Sequence, residues 1–291
     1  MKEQPKLLPC ITIILLIIVL GGCAARVSMI PPPAQPPVLK YVMPEGKIFN
    51  YKMSTGFLQT MSVKGIPIKT TVLNDFQLSM TQLAYAEKAY QLQVRINDVS
   101  MKITAPGTNL TPNLNNLVGK SFEMTITEQG EEIGIMGADD LTYSFGDSEK
   151  RSLSNEFKNF FPNLPDYPLN VGTEWTDVDT IDISEGGTST FLIISSANTL
   201  TGYELVNNHE CAKIEVDYAS SITSSGVQQG AVFDTAIQMT GKETMYFDYK
   251  QGVLVKMVSS GIGDGVANVK GEKAMSLPMS QTVTIDVELM E

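Results

Sequence analysis

The chain is poor in the side chains that most enzymes depend on. Its 291 residues include one histidine, His209, which excludes His-Glu-x-x-His zinc sites and every multi-histidine metal site. No Gly-x-Ser-x-Gly elbow and no Ser-x-x-Lys pair is present, so the familiar serine-nucleophile frameworks are missing as well. There are three cysteines: Cys10 and Cys23 fall in the first 23 residues, and Cys211 stands alone in the body. No disulfide can form within that body, and Cys211 is expected to be a buried, inert thiol in a strand. Basic residues are outnumbered, 21 against 32 acidic, for a net charge of −11. Such a surface repels phosphate backbones and disfavours nucleic acid as a partner.

Long apolar runs are also absent, with one exception at the start. Lys2 and Lys6 precede a nearly unbroken apolar stretch from Leu7 to Leu20, followed by Leu20-Gly21-Gly22-Cys23. The stretch is shorter than the roughly 20 residues of a stable membrane span and has the length of a signal-peptide core. Leu20 to Cys23, at its end, resemble the lipobox of bacterial lipoproteins. The resemblance implies that residues 1–22 are a signal peptide, with Leu20, Gly21 and Gly22 read by the signal peptidase. Cys23 would then carry a thioether-linked diacylglyceryl group and an N-acyl chain, with no other cofactor. Cleavage would leave 19 basic against 31 acidic residues, so acyl chains and not charge would supply membrane affinity. Ala24-Ala25 lacks the aspartate that resembles an inner-membrane retention signal, which makes the outer membrane of a two-membrane cell the expected destination, with the leaflet open. Five prolines in Pro31–Pro37 favour an extended spacer, so residues 23–44 read as a lipidated N-terminus and Pro-rich linker.

From residue 45 the dominant period is two. Leu92, Val94 and Ile96 alternate with polar residues, as do Phe122, Met124 and Ile126, Ile214, Val216 and Tyr218, and Val283, Ile285, Val287 and Leu289. This predicts an all-β, mainly antiparallel fold of roughly a dozen strands, forming curved sheets or a half-barrel. Turn chemistry is expected at Glu45-Gly46, Lys64-Gly65, Gln129-Gly130, Gly186-Gly187, Asn207-Asn208, Gln251-Gly252 and Asp264-Gly265. Between Asp147 and Phe161, Leu153, Phe157, Phe160 and Phe161 recur at helical spacing, predicting one short amphipathic helix ended by Pro162. Matches at an offset of 122 residues, such as Gly119-Lys120 with Gly241-Lys242 and Val94 with Val216, suggest two duplicated β units. The expected organisation is a first unit at 45–137, a helix and connector at 138–169, and a second unit at 170–291.

Phe161-Pro162-Asn163-Leu164-Pro165, Val171-Gly172-Thr173-Glu174-Trp175 and Phe247-Asp248-Tyr249-Lys250-Gln251-Gly252 look like signatures of uncharacterised bacterial envelope lipoproteins. That resemblance implies an envelope location and brings no catalytic residues. A more distant similarity, of architecture alone, is to half-barrel lipid-carrier lipoproteins.

Weaker motifs favour structural readings. Val232-Phe233-Asp234-Thr235-Ala236 resembles half of an aspartic-protease loop, but that chemistry needs a second carboxylate and no matching copy exists. Gly261-Ile262-Gly263-Asp264-Gly265 reads as a hairpin tip, because no helix follows to receive a phosphate. Asp177, Asp179 and Asp182 could hold calcium, but read better as a polar strand edge. His209 reads as an exposed hairpin residue. The expectation is a non-catalytic lipoprotein holding an apolar ligand or lipid in a β cavity. The alternatives are a scaffold that binds another envelope protein and, less favoured, a carboxylate-based hydrolase. No catalytic, cofactor-binding or metal residue is assigned.

Overall fold

The computed structural model describes residues 28–144, 151–185, 187–228, 231–271 and 274–290. Leu20, Gly21, Gly22 and Cys23 lie outside the described residues. The strands are β1 (Ser28–Met29), β2 (Ile48–Val63), β3 (Ile66–Ala86), β4 (Ala89–Ala105), β5 (Thr108–Leu110), β6 (Ser121–Thr127), β7 (Glu132–Met136), β8 (Thr142–Tyr143) and β9 (Arg151–Ser152). They continue as β10 (Glu174–Glu185), β11 (Thr188–Val206), β12 (His209–Gln228), β13 (Ala231–Asp248), β14 (Val253–Lys270) and β15 (Met275–Met290).

All pairings are antiparallel, and all strands but β8 and β9 form one sheet. Its order is β1-β11-β12-β13-β14-β15-β2-β3-β4-β6-β7, with β10 also on β11 and β5 also on β4. The sheet is an up-and-down meander that curls strongly without closing. Strands of the two stretches 45–137 and 170–291 share this sheet, joined where β15 pairs with β2 from Met279↔Met61 to Met290↔Asn50. Five of the seven expected turns are turns, and Gly186 of the expected Gly186-Gly187 turn lies outside the described residues. Asn207 and Asn208 both have positive φ, the geometry that a two-residue hairpin needs. The exception is Asp264-Gly265, which lies inside β14.

The alternation has a clear physical outcome. Inward residues bury a core in the lower half of the curl, while outward ones include Lys52, Asp75, Glu215, Asp217, Lys242 and Asp264, all exposed. Lys242 and Asp217 pair across neighbouring strands at 2.6 Å. Exposed apolar side chains, Val178 and Ile262 among them, interleave with these charges on the same face. Among the described residues, no helix is long and apolar enough to cross a membrane.

Two expectations are corrected. The stretch 23–44 is not a free linker along its whole length: Leu39, Tyr41 and Met43 are completely buried. Tyr41 N–H donates to Glu128 O at 2.7 Å and Val42 N–H to Gly252 O at 2.8 Å, so this strap bridges two turns across the lower end of the curl. The amphipathic helix is likewise reduced to one 3₁₀ turn at Ser154–Phe157, after which Lys158 is extended and Asn159 has positive φ. Residues 145–150, at the start of the expected helix, lie outside the described residues. The reason is packing. A helix on a sheet buries one stripe, but consecutive Phe160 and Phe161 are both buried here, together with Leu153 and Phe157. A segment lodged inside the curl meets protein on several sides. Phe157 packs on Phe76 and Phe122, and Phe160 and Phe161 pack edge-on against Tyr51 and Tyr41.

An interior cavity at Glu243

Register lets the inner face be read as rows that cross the strands. The row Leu200, Ile214, Met245, Met257, Val287, Met53 is apolar and roofs the core. The next is polar: Asn198, Val216, Glu243, Ser259, then Ile285, Thr55 and Asn74. Above it run Asp177, Ser196, Tyr218, Gly241 and Gly261, and then Asp179, Ile194, Ser220, Met239 and Gly263. The row after that, Ile181, Leu192, Ile222 and Ile237, is apolar again. The interior is therefore greasy at both ends and polar at the waist.

A cavity of about 320 Å³ occupies this waist. One wall is the sheet from β10 to β15, contributing Ile181, Leu192, Ile194, Ile222, Met239, Met257, Val283 and Ile285. The other wall is the extended segment after the 3₁₀ turn, through Lys158, Asn159, Pro162 and Asn163. This strap fills the seam between the two edge regions of the unclosed sheet. Asn159 N–H donates to Glu132 Oε2 at 3.2 Å beside β7, and Lys158 Nζ donates to the Asp182 carbonyl of β10 at 2.8 Å. Asn163 Nδ2 donates to Asp177 Oδ2 at 2.8 Å and to Asp179 Oδ1 at 3.2 Å.

Room for the cavity comes from glycine. Gly241 and Gly261 face inward, and a Cβ on either would collide with the Tyr218 ring or its hydroxyl. Cβ atoms on Gly263 and Gly265 would meet Met239 and Ile237. The glycine-rich stretch read as a hairpin tip is thus mid-strand, where the absence of side chains lets neighbouring ones lie flat across β14 and the sheet bend.

Glu243 is the ionisable group deepest in this space. It faces the cavity, so water reaches it, yet protein surrounds it on nearly every side. Burial pushes its carboxyl up to about 7, against an opposing hydrogen bond from Ser259. Its charge in turn helps to raise the Tyr41 hydroxyl, chiefly raised by burial. Asp179 is also raised, first by burial, then by Asp177 and Glu131, while the Asn163 amide opposes the shift. Three carboxylates and one ammonium, Lys158, line the cavity, and that ammonium is already bonded to a backbone carbonyl.

Glu243 was not among the residues singled out from sequence, although a signal existed. In β13 the inward positions read Ile237, Met239, Gly241, Glu243, Met245, Phe247, one acid in an otherwise apolar series. The other candidates are scattered. Asp177 and Asp179 face inward, but Asp182 alternates to the opposite face, which removes the calcium arrangement; among the described residues no group of three or more His, Cys, Asp or Glu could hold a metal. Asp234 lies outward on β13, paired with Lys270 at 2.6 Å and accepting from Asn268 at 3.0 Å. Cys211 is buried and free, its thiol pushed up to about 12 by burial and by Asp248. His209 is not the exposed hairpin residue expected: its ring is largely covered, with Nδ1 2.7 Å from Asp248 Oδ2. Asp248 Oδ1 accepts from Lys250 N–H and Gln251 N–H, so the pair pins the turn between β13 and β14.

These features define an all-antiparallel β protein, an unclosed curl with an internal strap and an acidic, apolar-walled cavity. No family model and no curated protein matches the chain. Among solved structures it is similar to an outer membrane channel from Pseudomonas putida F1, with 9% identity, 90% of this chain and 100% of that one covered, and a TM-score of 0.20. A likeness at that score carries no argument about this chain.

Proposed function

We propose that this protein is a non-catalytic envelope lipoprotein, anchored through Cys23 to the outer membrane, that binds an apolar or amphiphilic molecule inside its β curl. The observation that carries the reading is the cavity of about 320 Å³, walled by aliphatic and thioether side chains with a polar waist. Its size falls within the roughly 300–1,000 Å³ range of small-molecule sites, and its lining has the usual balance of apolar surface and few polar groups. Met239 and Met257 add walls that adapt to an irregular guest. Hydrolysis by a carboxylate pair finds little support. Glu243 stands on β13 and Asp177 and Asp179 on β10, and the Asn163 amide already occupies one oxygen of each aspartate.

The anchor reading has a geometric consequence. Ser28 already pairs with Leu205 on β11, so only residues 24–27 separate the fold from Cys23. At about 3.5 Å per residue, the lower end of the curl is held within about 18 Å of the lipidated cysteine. Cys23→Ser is expected to move the protein from the membrane to the soluble fraction. Native mass spectrometry of the membrane-extracted wild type is expected to show acyl mass on Cys23 and a small apolar guest. A wild-type protein that is membrane-free, or reproducibly empty, would count against the respective halves of the proposal.

A scaffold role has one observation in its favour. An open groove crosses the outer face of β10 to β15, and Val178 and Ile262 beside it are both more than 60% exposed. Val178→Asp with Ile262→Asp is expected to leave guest binding intact, and loss of a co-purifying envelope protein in that variant would favour the scaffold.

A further inference from the structure

The cavity's charge says more about its guest than its volume does. Glu243 projects from β13 at the polar waist, and Asp177 and Asp179 face the same space from β10. Lys158, the one cation among the lining residues, is held by the Asp182 carbonyl at the rim. The Asn163 amide satisfies one oxygen of each aspartate, which leaves acceptor capacity on both. Glu243 has one hydroxyl donor, Ser259, for a carboxylate that can accept several hydrogen bonds. Across the seam, Glu131 and Glu132 add further negative charge near the strap. An anionic headgroup in this space would meet like charge from β10 and from β13, screened less than in bulk water. A cation would supply the partner that the buried carboxylate lacks. Met239, Met257, Val283 and Ile285 flank Glu243 with apolar surface for a short chain.

We propose that the guest is a cationic amphiphile, an alkyl chain ending in an ammonium group, with its head against Glu243 and its chain along the β13–β15 wall. This rests on the reading of the curl as a binding cavity, and the experiment separates the two. Octylamine, 1-octanol and octanoate are titrated at pH 8 into the full-length lipidated protein in zwitterionic vesicles. Binding is followed by the emission of Trp175, the sole tryptophan, whose carbonyl accepts from the cavity-lining Asn198 at 3.4 Å, and by isothermal titration. Octylamine is expected to bind at least tenfold tighter than 1-octanol, and octanoate to give no saturable signal. In Glu243→Gln the amine's advantage over the alcohol is expected to fall at least fivefold. Equal or tighter binding of octanol or octanoate, or an unchanged preference in Glu243→Gln, overturns the cationic assignment while leaving the cavity a binding site. Failure of all three probes to bind saturably overturns the binding reading itself.

Discussion

A carboxyl held near neutral pH by burial is a liability for stability, and its sign can be worked out. The Glu243 carboxyl titrates near 4.5 when exposed and near 7 in the fold. A raised folded value means that the native state holds its proton more tightly than the unfolded chain. The stabilising contribution is therefore complete below about pH 4.5 and lost as pH rises through 7. Facing Glu243 are Tyr41 from the N-terminal strap and Ser259 from β14; Asp177 and Asp179 on β10 and Lys158 on the internal strap line the same space. Lys242 is next in sequence but alternates to the outer face, where it pairs with Asp217. Among the described residues, no cation is thus positioned to offset the charge. Glu243→Gln is expected to be more stable than wild type at pH 8 by about 2–3 kcal/mol, allowing for water in the cavity, and about equal at pH 4. Urea denaturation of both proteins at pH 4, 6 and 8 measures this. A stability difference that does not grow with pH would show that Glu243 sits in an environment as polar as the surface.

At the scale of the element, what could be read from sequence follows the range over which each feature is determined. Strands were legible because their alternation is local: Leu92, Val94 and Ile96 point inward whatever β4 pairs with. Hairpins such as Asn207-Asn208 were legible because positive φ is a property of two residues. Gly261-Ile262-Gly263-Asp264-Gly265 was misread because a run of glycine has the same local meaning in a turn and in a bend. Only the register with β13 and the ring of Tyr218, 43 residues away, tells them apart. The strap misled for a similar reason, since helical spacing and a segment buried on several sides both produce closely spaced aromatics. Cavity and seam were illegible because they depend on which strands become neighbours across the curl. The role of the glycines is testable. Gly261→Ala is expected to cost about 1–2 kcal/mol by pressing on the Tyr218 hydroxyl, and adding Tyr218→Phe is expected to recover most of that loss. A double-mutant cycle by thermal or chemical unfolding reads the coupling. Additive effects would mean that β14 bends without needing that space.

For the whole molecule, the question raised by the offset of 122 residues is whether two β units fold as two or as one. Matching strands do follow in the same order, β2-β3-β4-β6-β7 beside β10-β11-β12-β13-β14, and we propose that this reflects duplication of an ancestral unit. The energetics nevertheless bind the halves together. The twelve residue pairs between β15 and β2 run through the centre of the sheet. Tyr51 of β2 donates to the Leu254 carbonyl of β14 at 3.0 Å. The N-terminal strap bonds a turn of each half, and its Tyr41 donates to the Pro162 carbonyl at 3.0 Å while packing against Phe161 and Phe247. Cutting between the halves would expose these faces and leave two long, unpaired strand edges, the state that sheet proteins avoid. One cooperative unit follows. Calorimetry of the folded chain is expected to show a single transition, with van't Hoff and calorimetric enthalpies equal. Residues 170–290 expressed alone are expected to lack protected amides in β14 and β15. Two resolved transitions, or a stable, protected C-terminal half, would mean that the central β15–β2 pairing is an interface between domains and not part of one core. The sheet wall of the cavity would still be whole in that event, because it runs from β10 to β15 within the second half.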